Sequence, residues 1–423
     1  MKKLFLMIVV LLLYTSAMVH AQYPDERNEF TLNGITYVVT SDSTVSVAGR
    51  RSLWGQSLND MEGYVVLPSK VFDYTLTGIE SHAFAWSRLS SIDIPETVTS
   101  IGTSPFYKSG LESIKLPNSI KELNQTFCSC YHLKTVEIPR SVEELKGTFI
   151  DSAIESVVIP NTVRKLGDNC FFMCSQLREV ILEGDREKPL TLGRRSIAGK
   201  ITNLDITPID TIESYAYARH THFYDHHFGS VGVVKPLAFY GYGDWNYGYP
   251  KEDDTGLSLI FDSVDTICDS AFVDSRIETL IIPENAKVGK HFLPGFGSLK
   301  NLVFHLPVPP YNDVTQLLGP GSRIDDTFLF VPEESLAIYR SIWPYGQPGR
   351  AAFKDILPLD DYYSGAYKNW NPWWLDHEAI EEVNGPAAGE MTCYSIDGRK
   401  VDANHKGLII VRESNGETKK VLR

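Results

Sequence analysis

A proline recurs at near-constant spacing through the first half of this sequence, and each time it closes the same short phrase. Leu89-Ser-Ser-Ile92-Asp-Ile94-Pro95 is followed by Leu111-Glu-Ser-Ile114-Lys-Leu116-Pro117, Leu133-Lys-Thr-Val136-Glu-Ile138-Pro139 and Ile154-Glu-Ser-Val157-Val-Ile159-Pro160, so the prolines stand 22, 22 and 21 residues apart. After each proline come a Thr or Ser (Thr97, Ser119, Ser141, Thr162) and an aliphatic residue (Val98, Ile120, Val142, Val163). A second aliphatic follows (Ile101, Leu123, Leu145, Leu166), and then a phenylalanine (Phe106, Phe127, Phe149, Phe171). The unit returns at Ile267-Cys-Asp-Ser-Ala-Phe272 and Ile277-Glu-Thr-Leu280-Ile-Ile282-Pro283, and an earlier copy runs from Leu67-Pro68 through Ile79 to Phe84. Partial copies begin at Leu177 and Leu299.

Such periodicity overrides the reading of a 423-residue chain as two or three ordinary domains. Ile92 and Ile94 alternate with polar neighbours at period two, the pattern of a short strand with one buried face. Proline has no N–H to donate, so it marks the end of that strand. The second aliphatic pair predicts another extended or turn-like segment, and the phenylalanine fills the coil interior. One such unit buries too little apolar surface to offset the ordering of its own backbone, so the units must stack on one another.

The repeat also places the cysteines. A small residue precedes each coil-starting aliphatic: Ser87, Ser109, Cys130, Ser152, Cys174 and Ser275. Cys130 and Cys174 are two coils apart, about 9.5 Å at the usual strand spacing. A disulfide needs Cα atoms within about 7 Å. Cys170 shares a small-residue column with Ala83 and Ala271. These three read as buried thiols. Cys128-Ser-Cys130 lacks zinc-knuckle spacing, and Cys268 and Cys393 complete the six.

These units, with Ala-Phe at 83–84 and 271–272, resemble the BspA-type leucine-rich repeats of bacterial surface proteins, which also have counterparts in some protists. The resemblance covers about residues 65 to 358. It includes a closing unit, Leu329-Phe330-Val331-Pro332 through Tyr339 to Phe353-Lys-Asp-Ile356, similar to the family's last coil of strand, proline and short helix. It implies a β-rich leucine-rich-repeat solenoid, a curved stack of coils of about 22 residues. It further implies surface exposure and binding of host or bacterial partners, with no enzymatic activity.

The flanks complete the expected layout. Lys2, Lys3 and the apolar run from Leu4 to Tyr14, ending at Val19-His20-Ala21, read as a secretory signal peptide over residues 1–21. Residues 22–64, with Asn33-Gly34 as a hairpin turn, read as an N-terminal β cap. The solenoid then occupies 65–360, and an aromatic linker, 361–390, is expected to fold back over the last coil. Residues 391–423 form a small C-terminal β tail, read as three short strands with turns at Gly398 and Gly416. This tail resembles the C-terminal sorting domain of type IX secretion cargo, though no Pro-Asn-Pro precedes it.

Between about 184 and 262 the repeat pattern breaks up. Ile212-Glu-Ser-Tyr-Ala216-Tyr217 still fits a coil. His220, His222, Asp225, His226 and His227 follow, and then Tyr240, Tyr242, Trp245, Tyr247 and Tyr249. The histidines match no metal-ligand spacing, so no metal is expected. The five aromatics are the candidate ligand-binding residues, either as a platform for a glycan or protein or as packing for an inserted loop.

The remaining expectations are negative. No nucleophile elbow, HExxH helix, phosphate loop or dinucleotide fingerprint is present, so no catalytic residues and no cofactor are assigned. His377-Glu378 lacks a second histidine. The net charge of −13 carries no basic nucleic-acid footprint. The expected partner is an extracellular protein or glycan, bound by a monomer that does not span a membrane. The leading function is an adhesin-like surface binder, with glycan capture or a structural envelope role as alternatives.

Overall fold

The computed structural model describes residues 28–49, 59–184, 187–197, 200–202, 207–217, 226–240, 257–275, 277–294, 298–319, 322–346, 351–369, 392–395, 400–401, 408–412 and 418–422. The chain divides into two compact units, Met1–Leu359 and Asp360–Arg423.

The first unit is a β-solenoid of about 11 turns. Each coil runs through a first strand, a proline corner, a second short strand and a tight turn that returns the chain to the next coil. Like strands stack in parallel register. In the first-strand ladder Ile92 faces Ile114, and Val157 faces Val180, which faces Ile201. In the second, the column runs Leu123, Leu145, Leu166, Leu192, Ile212, Val234, Ile267, Val288. All of these aliphatics except Ile114 and Val288 lie in one continuous core with little or no exposure, and those two are partly buried and pack against it. Equivalent apolar residues meet because the repeat length equals one circuit of the coil.

The proline corner is a hydrogen-bonded turn. Val98, Val142 and Val163 donate their N–H to the carbonyls of Pro95, Pro139 and Pro160 at 3.0–3.1 Å. The Ser/Thr column now has a reason as well. Ser119 Oγ and Thr162 Oγ1 donate to the carbonyls of Val98 and Val142 in the preceding coil, at 2.5 and 3.4 Å. Residues 133–138 carry the first-strand sequence but form no ladder. Val136 and Ile138 are still buried there, and Glu155 N–H bonds the Lys134 carbonyl at 2.8 Å.

The pattern breaks up at 184–262, but the stack does not. Leu190–Leu192, Ile209–Ile212, His226–Val234 and Leu257–Ile267 pair in succession. In the last two, the first and second strands fuse into single strands of 9 and 11 residues. The register puts Gly229 and Asp262 in the column of Pro283. Both can donate a backbone hydrogen bond where proline cannot, so the strand runs through the corner. The two ladders thereby merge into one 12-stranded sheet. Ala216 and Tyr217 are fully buried as the sequence predicts, and so are Ala238 and Phe239, a copy of the same column that the sequence reading passed over.

Both ends of the stack are closed. Glu29–Leu32 and Ile35–Ser41 form a hairpin about Asn33 and Gly34, whose φ values of 51° and 80° suit its tight turn. Thr44–Val47 pairs antiparallel with this hairpin and parallel with Tyr74–Ile79, so the cap extends the ladder. Asn59, fully buried, ties cap to coil: its Oδ1 accepts from Thr36 N–H at 2.7 Å, and its Nδ2 donates to Ala48 and Ala83 carbonyls. At the far end, Phe328–Val331 leads through Pro332 into the helix Leu336–Ile342, and Asp355–Pro358 adds the last strand. Tyr339 and Trp343 seal this end, donating to the carbonyls of Leu306 (3.0 Å) and Tyr311 (2.9 Å).

The second unit holds the short helix Leu359–Ser364, a 3-10 turn over Ala366–Asn369 and an antiparallel sheet. The sheet has four strands in the order Lys400–Val401, Thr392–Ser395, Leu408–Arg412, Thr418–Leu422, one more than the sequence reading gave. Residues 1–21, read from the sequence as a signal peptide, and Trp370, Trp373 and Trp374 lie outside the described residues.

Candidate binding surface

The return turn is where each coil exposes its distinctive side chains. It begins with a residue in the left-handed region: His82, Ser104, Gln125, Gly147, Asn169, Tyr215, Leu237 and Ser270 stand just ahead of the small residue and the aromatic, Arg195 ahead of Ser196-Ile197, and His291 ahead of Phe292-Leu293. In six coils a second follows two residues after the phenylalanine position: Trp86, Lys108, Ser129, Asp151, Met173 and Asp274. For L-residues this conformation costs about 1–2 kcal/mol each. It is retained because it turns alternate amides along the stack. Phe84, Phe127, Phe149 and Tyr217 N–H groups donate to the next coil, at Pro105, Thr148, Cys170 and Ala238 carbonyls, 2.8–3.0 Å. The intervening amides close inside the turn, as in Ala85 N–H to His82. These coils thereby satisfy part of their backbone against their neighbours.

The phenylalanine points inward and forms a ladder of rings. Phe84, Phe106, Phe127, Phe149 and Phe171 stack at centroid spacings of 5.5–6.3 Å. Ile197 interrupts it, and Tyr217, Phe239, Phe272 and Phe292 resume it at 4.6–6.2 Å. The residues flanking the phenylalanine are thrown outward. They form a strip of aromatic and charged side chains running from coil to coil.

Its first part is Trp86, 47% exposed, meeting Tyr107 edge-on at 5.7 Å with the Lys108 ammonium 4.5 Å above the Trp86 ring. Tyr131, 52% exposed, and Ser129 both donate to Oδ2 of Asp151, at 2.8 and 3.1 Å. Met173 follows, 62% exposed. Arg195 lies 5.4 Å over Phe172, and Arg194 lies 5.2 Å over Tyr215. Tyr215 meets Tyr240 edge-on at 5.6 Å.

Of the five candidate aromatics, the structure places Tyr240 on this strip, in the column after the phenylalanine and exposed. Tyr242, Trp245, Tyr247 and Tyr249 lie outside the described residues, on the connection that leaves the coil at Tyr240 and rejoins it at Leu257. The sequence reading missed Trp86, Tyr131, Met173 and Tyr215. It weighed local aromatic density, whereas these residues come from different coils and different positions of the return turn, and meet on one edge only because those turns stack.

The described histidines do not converge. His226 and His227 are consecutive on one strand and face opposite ways. His226 is buried, its ring 5.2 Å from Tyr217, and His227 Nε2 lies 2.7 Å from Asp262 Oδ1 on the surface. His220, His222 and Asp225 lie outside the described residues. Among the described residues no group of three or more His, Cys, Asp or Glu could hold a metal.

Cys130, Cys170 and Cys174 are buried free thiols. Burial pushes Cys130 and Cys174 up to about 12, and Cys170 well above the usual thiol range. Cys130 and Cys174 Sγ lie 3.2 and 2.7 Å from the carbonyls of Phe106 and Phe149. In the same column Ser87 Oγ donates to the Phe84 carbonyl of its own turn at 2.8 Å, whereas the two thiols reach the preceding coil.

Residues 64–178 and 146–243 match the BspA type leucine-rich repeat region, in 6 copies. Similar solved structures include a leucine-rich repeat protein of T. pallidum, 24% identical over 41% of this chain and 76% of that one, with a TM-score of 0.33. A leucine-rich repeat protein of Bacteroides ovatus is 17% identical over 72% of this chain and all of that one, TM-score 0.31. The pneumococcal vaccine antigen PcpA is 18% identical over 78% of this chain and 98% of its own, TM-score 0.39. No curated protein matches the chain. No helix among the described residues is long and apolar enough to cross a membrane.

Proposed function

Given a stack of BspA-type leucine-rich repeats, we propose that this chain is an exported, cell-surface binding protein, adhesin-like, that engages an extracellular macromolecule along its return-turn edge. The observation that carries this reading is the strip of exposed rings and paired charges repeated on successive coils, from Trp86 to Tyr240. Large amphipathic rings offer much contact area with few rotors to immobilise, and a rigid backbone spaces them. An extended partner lying along the stack would touch several coils at once. The repeats are a binding scaffold, and no step of chemistry is assigned to them. The terminal leader and the tail at 391–423 fit export followed by type IX sorting.

The test is an array of glycans and extracellular proteins probed with residues 22–423 and with a Trp86→Ala/Tyr131→Ala/Tyr240→Ala variant. Truncating interface anchors of this kind costs about tenfold or more in affinity. Binding that the triple variant retains in full excludes the edge. Glycan capture is the second reading, favoured by the Tyr215–Tyr240 pair at the base of the aromatic connection. It requires the glycan arm to bind and Trp245→Ala/Tyr247→Ala to abolish that binding. Deleting 391–423 tests sorting: unchanged surface display in the native host removes that part of the proposal.

A further inference from the structure

At the proline corner, away from the return turns, one coil departs from the repeat. The register pairs Ile159 with Leu182 and Lys165 with Thr191, so the five-residue corner 160–164 becomes an eight-residue corner, 183–190. Glu183 stands in the proline column. Its N–H bonds the Ile159 carbonyl at 3.0 Å, a bond proline could not make. Its carboxylate takes Arg140 Nη2 at 2.7 Å and the Asn161 N–H at 3.1 Å, while Arg140 Nη1 donates to Asn161 Oδ1 at 3.2 Å. The lengthened corner walls a groove of about 340 Å³ against the three preceding coils.

Every described residue lining this groove is polar or charged. Lys121, Arg140, Arg164 and Lys188 outnumber Glu143 and Glu187, in a chain whose net charge is −13. Arg140 is held by its partners, and Arg164 faces Glu143 at 3.7 Å. Among the described residues, Lys121 and Lys188 have no ion-pair partner. Ser141 also lines the groove. Its Oγ is out of contact with water and has no hydrogen-bond partner, whereas the equivalent hydroxyls of Ser119 and Thr162 bond the preceding coil. A buried hydroxyl without a partner is costly, so this position is a weak point in the wall of the groove.

We propose that this groove binds an oxyanion, carboxylate or sulfate, carried by an acidic saccharide. The two lysines would meet the charged group, beside the Arg140 guanidinium that Glu183 and Asn161 hold in place. A groove open on one side and without an apolar wall suits a hydrophilic ligand whose remaining bulk stays in water, and does not suit an acyl chain. The net negative charge of the chain opposes long polyanions at a distance, so a single anionic unit is the match. This inference is independent of the return-turn edge.

Calorimetric titration of residues 22–423 with trigalacturonate, N-acetylglucosamine 6-sulfate, inorganic sulfate and maltotriose tests it. At least one acidic sugar is expected to bind about tenfold more tightly than maltotriose and than inorganic sulfate. Lys121→Gln/Lys188→Gln is expected to weaken that binding about tenfold. The charge-matched control Lys115→Gln/Lys287→Gln should leave it intact. The proposal is overturned if no acidic sugar binds, if inorganic sulfate binds equally well (an adventitious ion only), if the lysine pair can be replaced without loss, or if the control loses as much.

Discussion

Phe149→Ala is the sharpest probe of how the coils hold together. Phe149 is fully buried, its ring 5.7 Å from Phe127 and 5.5 Å from Phe171, nearly parallel to the latter. Truncating a buried phenylalanine costs about 3–5 kcal/mol through lost transfer energy and the cavity left behind. Two aromatic neighbours, each worth about 0.5–1.5 kcal/mol beyond area, place this site at the upper end. Phe149→Leu keeps much of the volume and loses both ring pairs, so it should cost about 1–2 kcal/mol. Urea unfolding gives the totals, and native-state hydrogen exchange gives the distribution. Because each coil contacts only its neighbours, protection should fall most at the amides of Phe127, Phe149 and Asp151, which donate across this part of the stack. A cost below about 1 kcal/mol for Phe149→Ala, or a loss of protection spread evenly from cap to closing helix, would refute the ladder as a stabilising element.

Three further outcomes follow from the same geometry. Met173 has φ 63° and is 62% exposed, so Met173→Gly should stabilise by about 0.5–1 kcal/mol in thermal melts and Met173→Val should destabilise by more than that. Cys130→Ser should cost little, about 1 kcal/mol or less, since serine fills this column at Ser87, Ser109 and Ser152; a loss above about 3 kcal/mol would show the column to be sulfur-specific. Alkaline stability should fall. Cys130 and Cys174 ionise near 9.0 when unfolded and at about 12 when folded, so the unfolded chain loses protons first. Their contribution is complete below pH 9 and declines as pH rises towards 12, by up to about 1.4 kcal/mol per pH unit for each thiol; flat stability over that window in the wild type, or the same slope in Cys130→Ser/Cys174→Ser, would contradict the assignment.

The coil was legible because its residues are bound to their columns by packing. Leu145 or Phe149 can sit in only one place in the circuit, so spacing alone reveals them. The corners at Gly229 and Asp262 were illegible for the converse reason. They are defined by a missing proline, and its absence reads as loss of the repeat when it is only a strand that continues. Val234-Lys-Pro-Leu-Ala238-Phe239 kept the column and was still passed over, because the aromatic run beyond it drew the eye. The binding strip was hidden differently. Trp86, Tyr131 and Met173 are unconstrained by packing, and nothing local ties one to the next until the left-handed turn fixes which positions point outward. The groove at Arg140 depends on three added residues in a corner, a length change visible only once the register on both sides is known.

The account stands or falls on which edge of the stack meets a partner. Hydrogen exchange with and without the tightest-binding array ligand measures this directly. The account predicts slowed exchange at the return turns of successive coils, at residues 84–88, 106–109, 128–132, 150–153, 172–174 and 215–217 and at Tyr240. Slowing confined to the strand faces, to the cap or to residues 392–422, with the return turns unchanged, would contradict it.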